Sequence, residues 1–217
     1  MNMETLNEKD IRQVFTGLAN LMAKEKEALT ELDAAIGDGD LGLTMSTGFA
    51  TIDEALQSLE ESDVGKLLGK AGMIIARAAP STMGTLMATG LMKGGKAITG
   101  KTEITLPDLA VFFREFVDGV MARGKAALGD KTLLDSLHPA AAALERSSGQ
   151  GQSLAAGVSE AYEAAVQGVE NTKNMISQHG KAACFQEKTL GKQDPGAVVG
   201  MLFIKAFNDY VNHGARS

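Results

Sequence analysis

The sequence predicts an all-α fold, a bundle or barrel of antiparallel helices, on three observations. Ala, Leu, Met and Gly are common, Trp is absent and aromatic residues make up 5%, a balance that favours helices over strands. Apolar residues recur at i, i+3, i+4 and i+7 through most of the chain. The stretches between these patterns are short, which favours antiparallel neighbours.

Taken in order, Ile11, Val14, Phe15, Leu18, Leu21 and Met22 share one face of a helix. It is expected over residues 7–32, and Gly37 and Gly39 stop it. A second helix is expected from about Thr44, carrying Met45, Phe49, Ile52, Ala55 and Leu56. A third covers residues 62–79 and ends at Pro80. Pro80 and Ser81 then open the small, apolar stretch PSTMGTLMATGLMKGG. In LPDLAVFFREFVDGVMARGKAAL, Leu109, Phe112, Phe113, Phe116, Val117, Val120 and Met121 form one face. GDKTLLD (residues 129–135) is expected to open a helix reaching Ser148, and residues 152–178 a long Ala-rich one. Residues 179–193 are irregular and long enough to be a functional loop. Asp194 reads as an N-cap with Pro195 at the first helical position, for a last helix towards Asn212. That is roughly eight helices, with no run of alternating strands, no repeat and no linker. One domain over residues 1–217 is expected.

At 44% hydrophobic residues the chain can build a packed core. Its formal charge of −6, without a long basic run, fits neither nucleic acid nor an anionic membrane as principal partner. A phosphate-bearing ligand stays open, because a metal can supply the positive charge locally. Cys184 is alone, so no intramolecular disulfide forms and a reducing compartment fits. The N-terminal MNMETLNEKD lacks the apolar core of a signal peptide, and no apolar run reaches the ~18 residues of a membrane helix. A cytoplasmic protein is expected.

The chemistry concentrates in LDAAIGDGDLGLTM (residues 32–45). Asp33, Asp38 and Asp40 repel one another unless solvent or a cation separates them, so the stretch is either a solvated turn or a site for a hard cation such as Mg²⁺ or Ca²⁺. An EF-hand is excluded, because the twelfth position counted from Asp38 is Phe49 rather than Glu. GDKTLLD and QDPGA both sit at expected helix starts, where free N–H groups and the helix dipole suit phosphate, though ordinary capping by Asp is common there and explains either motif taken alone. No Walker loop occurs. Of the histidines, His138 precedes Pro139 in a helical region, His179 lies in the irregular loop within reach of a ligand, and His213 sits near the C-terminus. They are not spaced as a metal cluster. The Met-rich residues 83–92 read as core.

LDAAIGDGDLGLTM, STMGTLMATG, RGKAALGDKTLLDSLHPA and GKQDPGA follow one another in an order that resembles the nucleotide-binding (DhaL) subunits of dihydroxyacetone kinases, over about residues 8–212. The resemblance implies a barrel of eight antiparallel helices with ADP or ATP at one end, its phosphates bound through two Mg²⁺ ions. It assigns the ions to Asp33, Asp38 and Asp40, which match the family's Asp-x4-Asp-x-Asp spacing. It implies nucleotide contacts from Leu41, Gly42, Leu43 and Thr44, from Ser81, Thr82, Met83 and Gly84, from Gly124, Leu133 and Lys181, and from Asp194, Pro195 and Gly196. Three positions depart from the family. Leu41 stands where histidine is usual, Thr44 where asparagine is, and Lys181 where arginine is, which exchanges a planar bidentate phosphate contact for a point charge.

The resemblance further implies half an enzyme. The ketose would be held covalently by a histidine of a separate DhaK-like subunit. A DhaM-like phosphotransferase subunit would rephosphorylate bound ADP where that system drives the reaction. Dihydroxyacetone is the expected substrate, with another short ketose such as erythrulose as the alternative. A different class of role is a nucleotide sensor that binds a transcription regulator.

Overall fold

Asn7 opens the first helix. Its side chain accepts from the N–H groups of Lys9 and Asp10 at 2.8 and 3.2 Å, and Asp10 accepts from the Asn7 N–H at 2.8 Å, a reciprocal cap. Ser81, Asp63, Ser153 and Asp194 cap later helices one way, each side chain accepting from an N–H three residues on. The computed structural model describes residues 3–214. Among these, the helices are α1 (Glu8–Lys24), α2 (Lys26–Ala34), α3 (Leu41–Gln57), α4 (Val64–Ala78), α5 (Thr82–Ala97), α6 (Leu106–Gly124), α7 (Leu134–Gly149), α8 (Leu154–Asn171) and α9 (Pro195–His213).

The contacts close a ring. α1 packs on α3, each helix from α3 to α8 packs on the next, and α9 returns to α1. Eight helices are therefore the staves of a barrel, and α2 lies outside the ring against the first turn of α3. Neighbours run antiparallel: Arg12 of α1 reaches the Leu56 carbonyl at the end of α3, and Thr16 reaches Asp53, one turn back. Close approaches fix the spacing. A Cβ on Gly90 or Gly94 would meet the rings of Phe116 and Phe112, so α5 can lie on α6 only because those positions carry hydrogen. The aromatic residues cross the interior. Phe113 of α6 lies 5.6 Å from Phe203 of α9, and Phe203 lies 6.5 Å from Phe49 of α3, so the barrel is filled at this level.

The structure corrects several sequence expectations. The single helix expected over 7–32 bends at Glu25, giving α1 and α2. No buried residue falls between Met22 and Leu29, and the bend lets α2 lean on α3 where Gly42 faces the Lys26 carbonyl and Thr30. α3 begins at Leu41 rather than near Thr44. α7 begins at Leu134, near the end of GDKTLLD, and α8 ends at Asn171 with a 3-10 turn at Thr172–Asn174. The loop expected at 179–193 is largely 3-10 turns, Lys181–Thr189, broken where Gln186 takes a left-handed φ of 46°. A clasp of two two-residue strands also forms, β1 (Leu6–Asn7) and β2 (Glu103–Ile104), pairing antiparallel with Leu6 opposite Ile104.

Candidate functional site

Asp33 stands in the last turn of α2, Asp38 in the turn that follows, and Asp40 at the N-cap of α3. One carboxylate oxygen from each lies within 4.8 Å of the others. Local sequence makes this fold: Gly39 takes a left-handed φ of 73°, and a Cβ on Gly37 would run into the Asp33 carboxylate. Asp33 also accepts from the Leu41 N–H at 3.2 Å, which ties α2 to the start of α3. The charges are unequal. A hydrogen bond from the Lys181 ammonium holds Asp38 below the usual carboxylate range. Desolvation, then the charges of Asp38 and Asp33, push Asp40 up.

The Asp40 side chain does not cap α3, and the Asp40 carbonyl takes the Thr44 N–H at 2.9 Å. With the Thr44 N–H taken, the backbone donors this helix start can offer a ligand are the first-turn N–H groups of Gly42 and Leu43. The Leu43 side chain is 56% exposed and Leu41 is buried.

A second set of expected residues meets at the starts of α5 and α9. Ser81 Oγ accepts from the Gly84 N–H at 3.0 Å, and Asp194 accepts from the Ala197 N–H at 2.7 Å. A Cβ on Gly196 would sit 2.8 Å from Met83 Cε and 3.3 Å from the Leu133 nitrogen. Met83, Leu133, Asp194 and Gly196 thus share one corner, although 113 positions separate Met83 from Gly196 (196 − 83). Thr82 shares the first turn of α5, and Pro195 is the first residue of α9. Gly124 ends α6 against Leu86 of α5. Asp194 is buried, and desolvation pushes its pKa up to about 7.

The two sets are joined by the strap of residues 172–193. Lys181 bonds Asp38, and Lys192 donates to the Ala35 carbonyl at 3.1 Å. His179 does not point at the carboxylates; its Nε2 lies 2.8 Å from Asp130 Oδ2 and pins the strap to the α6–α7 turn. GDKTLLD does not present phosphate donors in the expected way. Asp135 takes the Gly129 and Thr132 N–H groups at 2.6 and 2.7 Å. Sequence reading passed over Lys131 and Lys192, whose signal is only a cation beside a glycine turn. A groove of about 490 Å³ between α1 and α9, lined by Thr16, Asn20, Lys24, Lys205 and His213 among others, shares no residue with this site. No helix among the described residues is long and apolar enough to cross a membrane.

A family model described as the DAK2 domain matches residues 35–209. The chain is 33% identical over 201 residues to the ADP-binding subunit DhaL of the PEP-dependent dihydroxyacetone kinase of Escherichia coli, covering 93% of this chain and 96% of that protein. It is 34% identical over 190 residues to the DhaL subunit of the PEP-dependent dihydroxyacetone kinase 2 of Listeria innocua, covering 85% and 86%. A crystal structure of the C. freundii dihydroxyacetone kinase with AMP-PNP and Mg²⁺ shares the fold, with a TM-score of 0.71 at 23% identity, over 96% of this chain and 35% of that one. The match over most of the chain, and the relatives matched almost end to end, show that the chain belongs to the DAK2-domain family, among its DhaL-type members.

Proposed function

We propose that this chain is the ADP- and ATP-binding subunit of a dihydroxyacetone kinase, acting with a separate DhaK-like subunit that holds the ketose, and that residues 8–212 form the nucleotide-binding unit. The observation that carries the reading is the convergence of Asp33, Asp38 and Asp40 at the α2–α3 turn, in a chain similar to proteins named as ADP-binding subunits.

The donor set fits Mg²⁺. All three side chains offer hard oxygen ligands, they converge, and the charges of Asp38 and Asp33 act on Asp40 with Lys181 the one opposing cation, so the site favours a cation. Two Mg²⁺ ions, when bound, would neutralise the phosphate charge and polarise the phosphoryl oxygens. The protein's own part is positioning, which is most of what phosphoryl transfer requires. Asp33, Asp38 and Asp40 would hold the ions, and the Gly42 and Leu43 N–H groups would receive phosphate oxygens. Lys181 would move its ammonium from Asp38 to a phosphate oxygen. The corner of Ser81, Thr82, Met83, Gly84, Leu133, Asp194, Pro195 and Gly196, with Gly124 nearby, would frame the rest of the nucleotide. Among the described residues no histidine stands free at the carboxylates to hold a ketose, which supports a partner carrying that subsite. A DhaM-like subunit would supply the phosphoryl group to bound ADP.

The test is a coupled assay of the purified chain with a DhaK-type subunit, Mg²⁺ and dihydroxyacetone, beginning from protein whose bound nucleotide has been identified after denaturation. Dihydroxyacetone phosphate is the expected product. Erythrulose belongs in the same assay, because the chain is 32% identical over 191 residues to the L-erythrulose kinase of Pectobacterium atrosepticum, spanning 32% of that longer protein. Nucleotide binding without turnover on either ketose would overturn the kinase reading in favour of a nucleotide sensor for a transcription regulator, a role that the Leu41 and Lys181 departures favour.

A further inference from the structure

Lys131 is 2% exposed and takes a left-handed φ of 61°. A non-glycine residue in that region is strained and persists only where its surroundings hold it. What holds it is its own side chain. The ammonium donates to the carbonyls of Met175, Thr189 and Lys192 at 3.2, 2.5 and 2.7 Å. Its three hydrogens thus have three acceptors, all backbone, and all on the strap. They lie near its beginning and its end, so one side chain closes the strap into a loop. The Gly191 N–H, bonded to the Lys173 carbonyl at 2.8 Å, closes the same base. Next to Lys131, Asp130 takes the Gln178 N–H on its carbonyl at 3.1 Å and His179 on its carboxylate. On the other side, Thr132 leads into Leu133, at the corner shared with Gly196.

The strap carries Lys181 to Asp38, and its remaining tie to the aspartate turn is Lys192 on the Ala35 carbonyl. We propose that Lys131 is a positioning residue for the nucleotide site, fixing the 172–193 strap so that Lys181 stands over the aspartate cluster while Leu133 stands at the α9 corner. The proposal rests on the nucleotide-binding reading of that cluster. Lys131 touches neither the carboxylates nor the Met83–Gly196 contact, so its effect travels through the strap. Burial pulls the Lys131 pKa down, and the Asp194 charge opposes this.

The experiment compares Lys131→Met, Lys181→Met and the double variant with the wild type by hydrogen exchange of the nucleotide-free protein and by Mg-ADP titration. In Lys131→Met, exchange of the amides of residues 175–192 should rise at least about tenfold while that of α4, α5 and α6 stays unchanged, the mark of local rather than global opening. Lys181→Met should leave strap exchange unchanged. Each single variant should weaken Mg-ADP about tenfold, and the double variant clearly less than the product of the two, because one effect runs through the other. Unchanged strap exchange in Lys131→Met, exchange raised evenly over all helices, or losses that simply multiply would each overturn the proposal. Should Lys131→Met not fold, Lys131→Arg is read by the same criteria, since a planar guanidinium cannot reproduce three bonds from one nitrogen. Wild-type protein that binds no Mg-ADP would defeat the nucleotide reading, and strap exchange would still decide whether Lys131 holds the strap.

Discussion

The Lys181 ammonium donates a hydrogen bond to the carboxylate of Asp38, 143 positions away in the chain. One positive charge is thereby set against three negative ones, and the contact needs the strap to fold back over the α2–α3 turn. The hydrogen bond to Asp38 raises the Lys181 pKa, and the carboxylates of Asp40 and Asp33 add to that effect. The site therefore carries surplus negative charge that a divalent cation would complete.

Asp38→Asn should abolish Mg-ADP binding with little effect on the helical circular dichroism. Losing an outer partner of a metal ligand costs about 10–100-fold in affinity, so losing a carboxylate ligand should exceed about 100-fold. Retained affinity in a calorimetric titration would remove Asp38 from the ligand set.

Lys181→Arg should keep or tighten Mg-ADP binding, because the guanidinium can meet two phosphate oxygens at once. Lys181→Met should weaken it, and the weakening should shrink at high salt as the charge is screened. A weakening independent of salt would mean that Lys181 acts by packing rather than by charge.

Asp194 titrates differently folded and unfolded. Its folded pKa of about 7 lies above the ordinary 3.8, so between these values the folded state binds more protons. Stability should fall as pH rises through this window. Asp194→Asn keeps a cap acceptor and removes the buried charge, so its urea midpoint relative to wild type should improve from pH 5 to pH 8. Asp194→Ala should lose about 1 kcal/mol with the cap at low pH. A difference between Asn variant and wild type that does not change with pH would show that Asp194 carries no raised pKa.

Gly42→Ala should destabilise the fold by about 1–3 kcal/mol, the range for overpacked positions, because its Cβ would strike the Lys26 carbonyl and Thr30 of α2. Since α2 carries Asp33 and α3 begins beside Asp40, Mg-ADP affinity should fall with it. Equilibrium urea unfolding and the same titration check both, and unchanged stability would show that α2 yields freely.

Much of this was legible along the chain. The stripe Ile11, Val14, Phe15, Leu18, Met22 and the face Phe112, Phe113, Phe116 are buried as their spacing predicts. Asp194 and Pro195 open α9, and Ser81 caps α5. The aspartate convergence is local, over the eight residues from Asp33 to Asp40, and their closeness along the chain pointed to it while leaving a solvated turn and a cation site open. These features depend on neighbours a few residues away, so the sequence determined them by itself.

What the sequence left open depends on contacts between distant residues. The bend at Glu25 has no glycine or proline to mark it, and it follows from where α2 must lie on α3. Whether GDKTLLD offered its N–H groups to phosphate or to a capping Asp was open in the sequence, and Asp135 takes those of Gly129 and Thr132. Lys131 reads in sequence as one more surface lysine, yet three carbonyls 44 to 61 positions onward make it an interior anchor. Helical periodicity encodes which face is buried, but not which distant backbone oxygens will meet a given ammonium. Only closure of the barrel, which brings α9 and its strap back beside α2 and α3, decided that.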